Sequence, residues 1–268
     1  MRVMTYNIKT GGYDGSRGTR LEEIAEVIGT ALPDVVALQE LRGDSGTWLA
    51  KRLNMRMVRA RSSWGQPVAV LTNPDWTVLA AGPVARPFHH AAARVVVATL
   101  GGPLTVISAH LHPHWGWRRL HEARWLVNAV GRTRLALVMG DLNTLDPWTD
   151  HQDRLRALPR QYRARHLRWR PPTSKPSDRD VGKVARVDTR AIAALDAAGM
   201  VDLFRAVGEG APETAPTALG GAEFSGMRLD YLFATPALAE HVRSCRILRT
   251  AHADRASDHY PVVAEINI

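Results

Sequence analysis

The chain has 268 residues, 45% of them hydrophobic and 23% charged, with a formal net charge of +9. That is enough apolar material for a sizeable core, while no apolar run approaches the roughly 20 residues that cross a bilayer, which excludes a membrane-spanning protein. A single cysteine, Cys245, excludes an internal disulfide and a cysteine-based zinc site, and with no leader-like pattern at the N-terminus a cytoplasmic location is expected.

In chain order, the composition and punctuation predict a strand at 2–8, a helix at 19–31, a strand at 34–40 and a helix at 46–53. Strands follow at 67–72, 76–81, 94–100 and 104–110, then a helix at 117–131 and a strand at 135–141. The last expected elements are a helix at 189–199 and strands at 229–234, 245–250 and 260–268. Leu21, Ile24, Ala25 and Ile28 fall at helical spacing, and Pro33 lies just beyond that helix. Strands outnumber helices, and several neighbouring strands have no helix between them, which points to an α+β layered sandwich rather than a doubly wound sheet. The stretch 146–187 is irregular and rich in Arg, Pro and Asp. We read one domain, 1–268, carrying a long basic loop insertion at 146–187.

Arg far outnumbers Lys, which occurs only at 9, 51, 175 and 183. Basic surfaces attract polyphosphates, but GC-rich coding yields the same bias, so the charge fits an anionic ligand without identifying one. Arg118, Arg119 and Arg165 are the candidate substrate contacts, and Trp169 within an Arg-rich run is a candidate for base stacking.

Short polar groups close or adjoin the apolar runs, and each emerges at the rim of a sheet. Glu40 ends Val35-Val36-Ala37-Leu38 and is the best candidate ligand for Mg²⁺ or Mn²⁺, which favour hard oxygen donors; the plain alternative is a carboxylate leaving a strand into solvent. Asn7, a neutral oxygen donor, either joins that metal or satisfies backbone where the first strand ends. Asp141 and Asn143 alternate along one strand end and point the same way. They can take a proton from water and hold its oxygen, or simply build a turn. His259, oriented by Asp230, would carry positive charge toward a phosphorane-like transition state, with Asp258 completing the metal shell; alternatively Asp230 is a buried partner for Arg228. His110 is placed to hydrogen-bond a phosphate oxygen. Alternation of His110, His112 and His114 suggests zinc, but Pro113 and Trp115-Gly116-Trp117 read as a loop.

These residues resemble the endonuclease/exonuclease/phosphatase superfamily along nearly the whole chain. The matched motifs are the Asn7 strand, Gln39-Glu40, Ser108-x-His110, Gly140-Asp141-x-Asn143, Arg228-Leu229-Asp230-Tyr231 and Ser257-Asp258-His259. The resemblance implies a four-layer αββα sandwich of two mostly antiparallel sheets flanked by helices. It further implies a divalent metal held by Glu40 with Asn7 and Asp258, water handled by Asp141 and Asn143, an Asp230–His259 dyad, and His110 on the scissile phosphate. Ser108-x-His110 is similar to the deoxyribonuclease, sphingomyelinase and phosphatase branches, and Ser225-Gly226-Met227 lacks the Trp usual in abasic-site enzymes. Gln66 stands where the deoxyribonuclease branch has a Glu that orients the first His.

The expected activity is therefore a metal-dependent phosphodiesterase or nuclease, with DNA or RNA as substrate and no obligate protein partner. The alternatives are a phosphatase or phospholipase-type enzyme on a small or lipid-linked phosphoester, and a non-catalytic nucleic-acid-binding relative.

Overall fold

Most of the predicted strands are apolar at consecutive positions, as strands covered on both faces must be. The computed structural model, which describes residues 1–15, 18–168 and 186–268, places them in two six-stranded sheets. In chain order the strands are β1 (Arg2–Asn7), β2 (Val35–Gln39), β3 (Arg56–Ala60), β4 (Val68–Thr72), β5 (Val78–Pro83) and β6 (Ala91–Thr99). They continue as β7 (Gly102–His110), β8 (Leu135–Asp141), β9 (Val201–Asp202), β10 (Asp230–Ala234), β11 (Val242–Ile247) and β12 (Val262–Ile266). The first sheet runs β11-β12-β1-β2-β4-β3 and the second β5-β6-β7-β8-β10-β9. Each is mixed: β1 and β2 pair parallel in one, β7 and β8 in the other, and the remaining neighbours are antiparallel.

Helices join the strands, and some of them cover the outer faces of the sheets. They are α1 (Leu21–Ala31), α2 (Ser45–Arg52), α3 (Gly116–Val130), α4 (Gln152–Ala157), α5 (Arg160–Arg163), α6 (Arg190–Ala197), α7 (Leu203–Val207), α8 (Pro236–Ala239) and α9 (Ala251–Ala256). Three apolar layers follow from the period-2 alternation of the strands. Val3, Val35, Ala37, Val106, Leu137, Met139 and Ala264 fill the space between the sheets. Met4, Tyr6, Val36 and Leu38 face α1 and α9, while Ile107, Val138, Tyr231 and Phe233 face α3 and α6. The architecture is the expected four-layer αββα sandwich. Among the described residues no helix is long and apolar enough to cross a membrane.

Two strands escape the sequence pattern. β3 is an edge strand carrying Arg56 and Arg59, charges that an edge tolerates and a central strand does not. β9 is only two residues long. The segment 146–187 is corrected as well: it is not a plain loop, because α4 and α5 lie in it and an isolated bridge joins Leu167 to Val187. Leu155 and Leu158 hold it down against Leu145, Met227 and Leu229. Trp169 and Arg170 lie outside the described residues.

Gly140 marks the closest approach of two strands. Its φ is 152°, and a Cβ there would meet the Ala109 carbonyl oxygen of β7 at 1.8 Å. Backbone cannot retreat as a flexible side chain does, so Gly140→Ala should destabilise the fold by roughly 2–4 kcal/mol, read as a lowered midpoint in urea unfolding.

Candidate active site

The same alternation that builds the inter-sheet core sets the site. Along β1, Val3 faces the opposing sheet, and Asn7, four residues on, faces the same way; along β8, Leu137 and Met139 are followed by Asp141. Register then aligns the second sheet: His110 of β7 lies opposite Asp141, and Asp141 lies opposite Asp230 of β10. The apolar core between the sheets thus gives way, at one rim, to a row of polar side chains. Just inside that rim Gln39 Nε2 donates to Ser108 Oγ across the sheets at 3.2 Å, and Thr5 Oγ1 donates to Gln39 Oε1 at 3.2 Å.

Asn7 joins the two halves of the site. Its Nδ2 donates to Glu40 Oε1 at 3.1 Å and to Asp141 Oδ2 at 3.0 Å, while its Oδ1 accepts from the Lys9 N–H at 3.0 Å. It therefore presents nitrogen, not oxygen, to the two carboxylates. Glu40 Oε2 accepts the Thr10 N–H at 2.8 Å. Glu40 itself sits at φ 62°, and Lys9, Thr10 and Asn143 share the left-handed region at 46°, 53° and 48°. Non-glycine residues there carry strain that surrounding contacts must hold, and it concentrates at functional sites.

Asp141 is buried, and burial raises its carboxyl to about 7, with the nearby Asp230 adding to the rise and His259 opposing it. Its Oδ1 accepts the Asn143 N–H at 2.8 Å. Asn143 Nδ2 is spent on the Leu111 carbonyl at 3.0 Å, leaving its Oδ1 to face incoming groups. His259 Nδ1 pairs with Asp230 Oδ2 at 2.7 Å, and its Nε2 lies 3.9 Å from Asp141 Oδ2. Burial alone would neutralise this imidazole, but the Asp230 carboxylate more than offsets it and raises His259 well above the ordinary histidine value. His110 goes the other way: burial beside His90 and His259 holds it well below, hence neutral, with Nε2 at 3.4 Å from Asp141 Oδ2. Among the described residues no carboxylate reaches His110 Nδ1; the His90 ring stacks on the His110 ring at 3.8 Å, and His90 Nδ1 accepts the Gln66 N–H.

The oxygen-rich group of Glu40, Asp141 and Asp230 suits a hard divalent cation. Ligand atoms of Asp141, Asp230 and His259 lie within 4.8 Å of one another, and Asp230 Oδ1 is buried with no hydrogen-bond partner. Asp258 Oδ2 lies 3.4 Å from Lys9 Nζ. Arg228, the alternative partner for Asp230, instead pairs with Asp202 at 2.7 Å and Asp146 at 3.7 Å.

The assignment of Arg119 to the substrate needs correction. Arg119 is 1% exposed; it donates to the His112 and Arg165 carbonyls and touches no open surface. Its spacing with Ala123, Leu126 and Val130 puts it on the buried face of α3, a pattern already present in the sequence. Arg118 and Arg165 are half-exposed, the first donating to the Pro87 carbonyl and the second lying over the Tyr162 ring. No zinc-like cluster of His110, His112 and His114 forms, since His112 Nδ1 accepts the His114 and Trp115 N–H groups. Two contributors carried no signal in the sequence: Lys9 beside Asp258, and Glu122, whose buried carboxylate accepts the His89 and His112 N–H groups at 2.7 Å each.

A model of the Endonuclease/Exonuclease/phosphatase family matches residues 4–259. By sequence, no curated protein matches. Among solved structures, a functionally unknown conserved protein from Enterococcus faecalis V583 superimposes with a TM-score of 0.70 at 17% identity, over 100% of this chain and 99% of that one. A mannosyl-6-phosphatase from Bacteroides thetaiotaomicron VPI-5482 gives 0.70 at 15% identity, over 100% of both chains. A 3′ phosphatase from Neisseria, bound to a product DNA hairpin, gives 0.68 at 18% identity, again over 100% of both.

Burial also neutralises His90 and His166, pulling each to about 3. Such a group takes its proton first in the unfolded chain, so its stabilisation is whole above about pH 6.5 and is lost as pH falls toward 3. Urea unfolding should show a loss of about 1.4 kcal/mol per imidazole between about pH 7.5 and about pH 5.5. His166→Gln should remove one proton's worth of that slope.

Proposed function

The chain belongs to the Endonuclease/Exonuclease/phosphatase family, and we propose that it is a divalent-metal-dependent phosphodiesterase that cleaves nucleic acid by in-line attack of water. One observation carries the reading: a charged imidazole, His259, and a neutral one, His110, both lie within 4 Å of Asp141 Oδ2, whose own carboxyl is raised to about 7. That is the set of donors and acceptors a phosphoryl transfer needs around one reacting centre.

Glu40, with Asp258 and a reoriented Asn7 amide, would hold Mg²⁺ or Mn²⁺, the Glu40 side chain being half-buried at the mouth of the site. When bound, such a cation neutralises phosphate charge and activates water. Asp141 accepts the proton of the attacking water, and a carboxyl raised to about 7 suits a base working near neutrality. Asn143 Oδ1 holds that water's oxygen. His259, kept charged by Asp230, donates from Nε2 to the oxygen on which charge builds, and neutral His110 donates to a second phosphate oxygen. Arg118 and Arg165 meet the substrate at the edge of the site.

A phosphatase is the second reading, because the neighbouring folds include a mannosyl-6-phosphatase and a 3′ phosphatase. Plasmid, single-stranded oligonucleotides and a panel of sugar and inositol phosphates, each incubated with Mg²⁺, separate the two. Turnover confined to the small phosphates would sink the nuclease reading. Chelation should abolish turnover and Mg²⁺ or Mn²⁺ restore it. Asp141→Asn and His259→Ala should each lower kcat by roughly 10²–10⁴-fold while the circular dichroism spectrum and cooperative melt are kept; undiminished turnover in either variant removes that residue from its role.

A further inference from the structure

Trp115-Gly116-Trp117 leads from the end of β7 into α3, and both indoles face solvent, 57% and 47% exposed. They are nevertheless held in order. The His112 ring lies on Trp115 with centroids 4.8 Å apart and planes at 16°, and Trp115 lies 6.1 Å from Trp117 at 15°. The inner member is fixed: His112 Nδ1 accepts two backbone N–H groups, and its own N–H is held by Glu122 Oε2 at 2.7 Å. The turn is also pinned from below, since a Cβ at Gly116 would meet Asp188 Oδ2 at 1.9 Å. A row of near-parallel rings therefore runs outward from His112, two positions past His110. A cation flanks it: the Arg118 guanidinium lies 5.9 Å from the Trp117 ring centre.

Ordered, solvent-exposed rings select a ligand that has flat faces of its own, and a flanking guanidinium selects one that is anionic. A single-stranded nucleic acid joins both properties in each repeating unit, whereas a duplex hides its base faces in its own stack. From this geometry we infer that Trp115 and Trp117 are a stacking platform for unpaired bases of a single-stranded nucleic acid, with Arg118 on its phosphates, delivering the strand to His110. The inference rests on the nuclease reading and narrows its substrate to single strands.

The test is fluorescence anisotropy of a labelled oligothymidylate in chelator, where no turnover occurs, beside Mg²⁺-dependent cleavage of the same strand. W115A/W117A should weaken binding at least about tenfold, whereas W115F/W117F, which keeps the rings, should stay within about threefold of wild type. Affinity for an abasic oligomer of the same length, and the circular dichroism spectrum, should not change in W115A/W117A. Equal binding by wild type and W115A/W117A overturns the platform, and if wild type still cuts the strand, the nuclease reading survives. An equal loss in W115F/W117F, or on the abasic oligomer, also overturns it, because loop packing or charge would then account for binding. Wild type that neither binds nor cuts any nucleic acid removes both readings together.

Discussion

One amide holds this site together. Asn7 ends a strand of the first sheet, yet its Nδ2 is shared between Glu40 of that sheet and Asp141 of the second. Two carboxylates brought this near each other repel, and in a buried rim little solvent screens them. A donor placed between them offsets that repulsion and fixes the spacing of the sheets where the core turns polar. Gln39 and Ser108 repeat the device one layer deeper, so the rim closes through directed bonds rather than apolar contact.

At equal burial, the partner of a side chain then sets apart groups of the same type. His110 and His259 are both buried and both lie near Asp141, yet they are driven apart in charge. The difference is the second ring nitrogen: His259 Nδ1 has Asp230 at 2.7 Å, and His110 Nδ1 has no partner. A buried charge persists only where a counter-charge repays its lost hydration. The result is one imidazole that stays charged and one that stays neutral, on either side of a carboxyl raised to about 7. Residues separated by more than a hundred positions reach this arrangement because the register of β7, β8 and β10 lines them up.

The buried titratable groups and the exposed aromatic row occupy different parts of the molecule. His110 and Asp141 sit at the ends of central strands, each paired with a neighbour on both sides. The aromatic row at Trp115 and Trp117 and the half-exposed Arg118 belong to the connection after β7, where length and composition vary without disturbing the sheets. Glu122 links the two regions, since its carboxylate holds the loops that carry His89 and His112.

The central strands, the helices at α1, α2, α3 and α6, and the polar groups at the strand ends were legible in the sequence, because consecutive apolar residues closed by a polar one have few other solutions in a layered fold. The family motifs added the order of those groups and the identity of the dyad. Tertiary structure alone decided the rest. Whether Asn7 offers oxygen or nitrogen depends on which carboxylates surround it, and Arg119 was misjudged because charge suggested exposure while helical spacing placed it inward. Edge strand β3 and short β9 carry too little periodicity to be recognised before their partners are known. The opposite charges of His110 and His259 could not be read locally either, for each is set by a carboxylate, or the lack of one, brought across the sheet by folding.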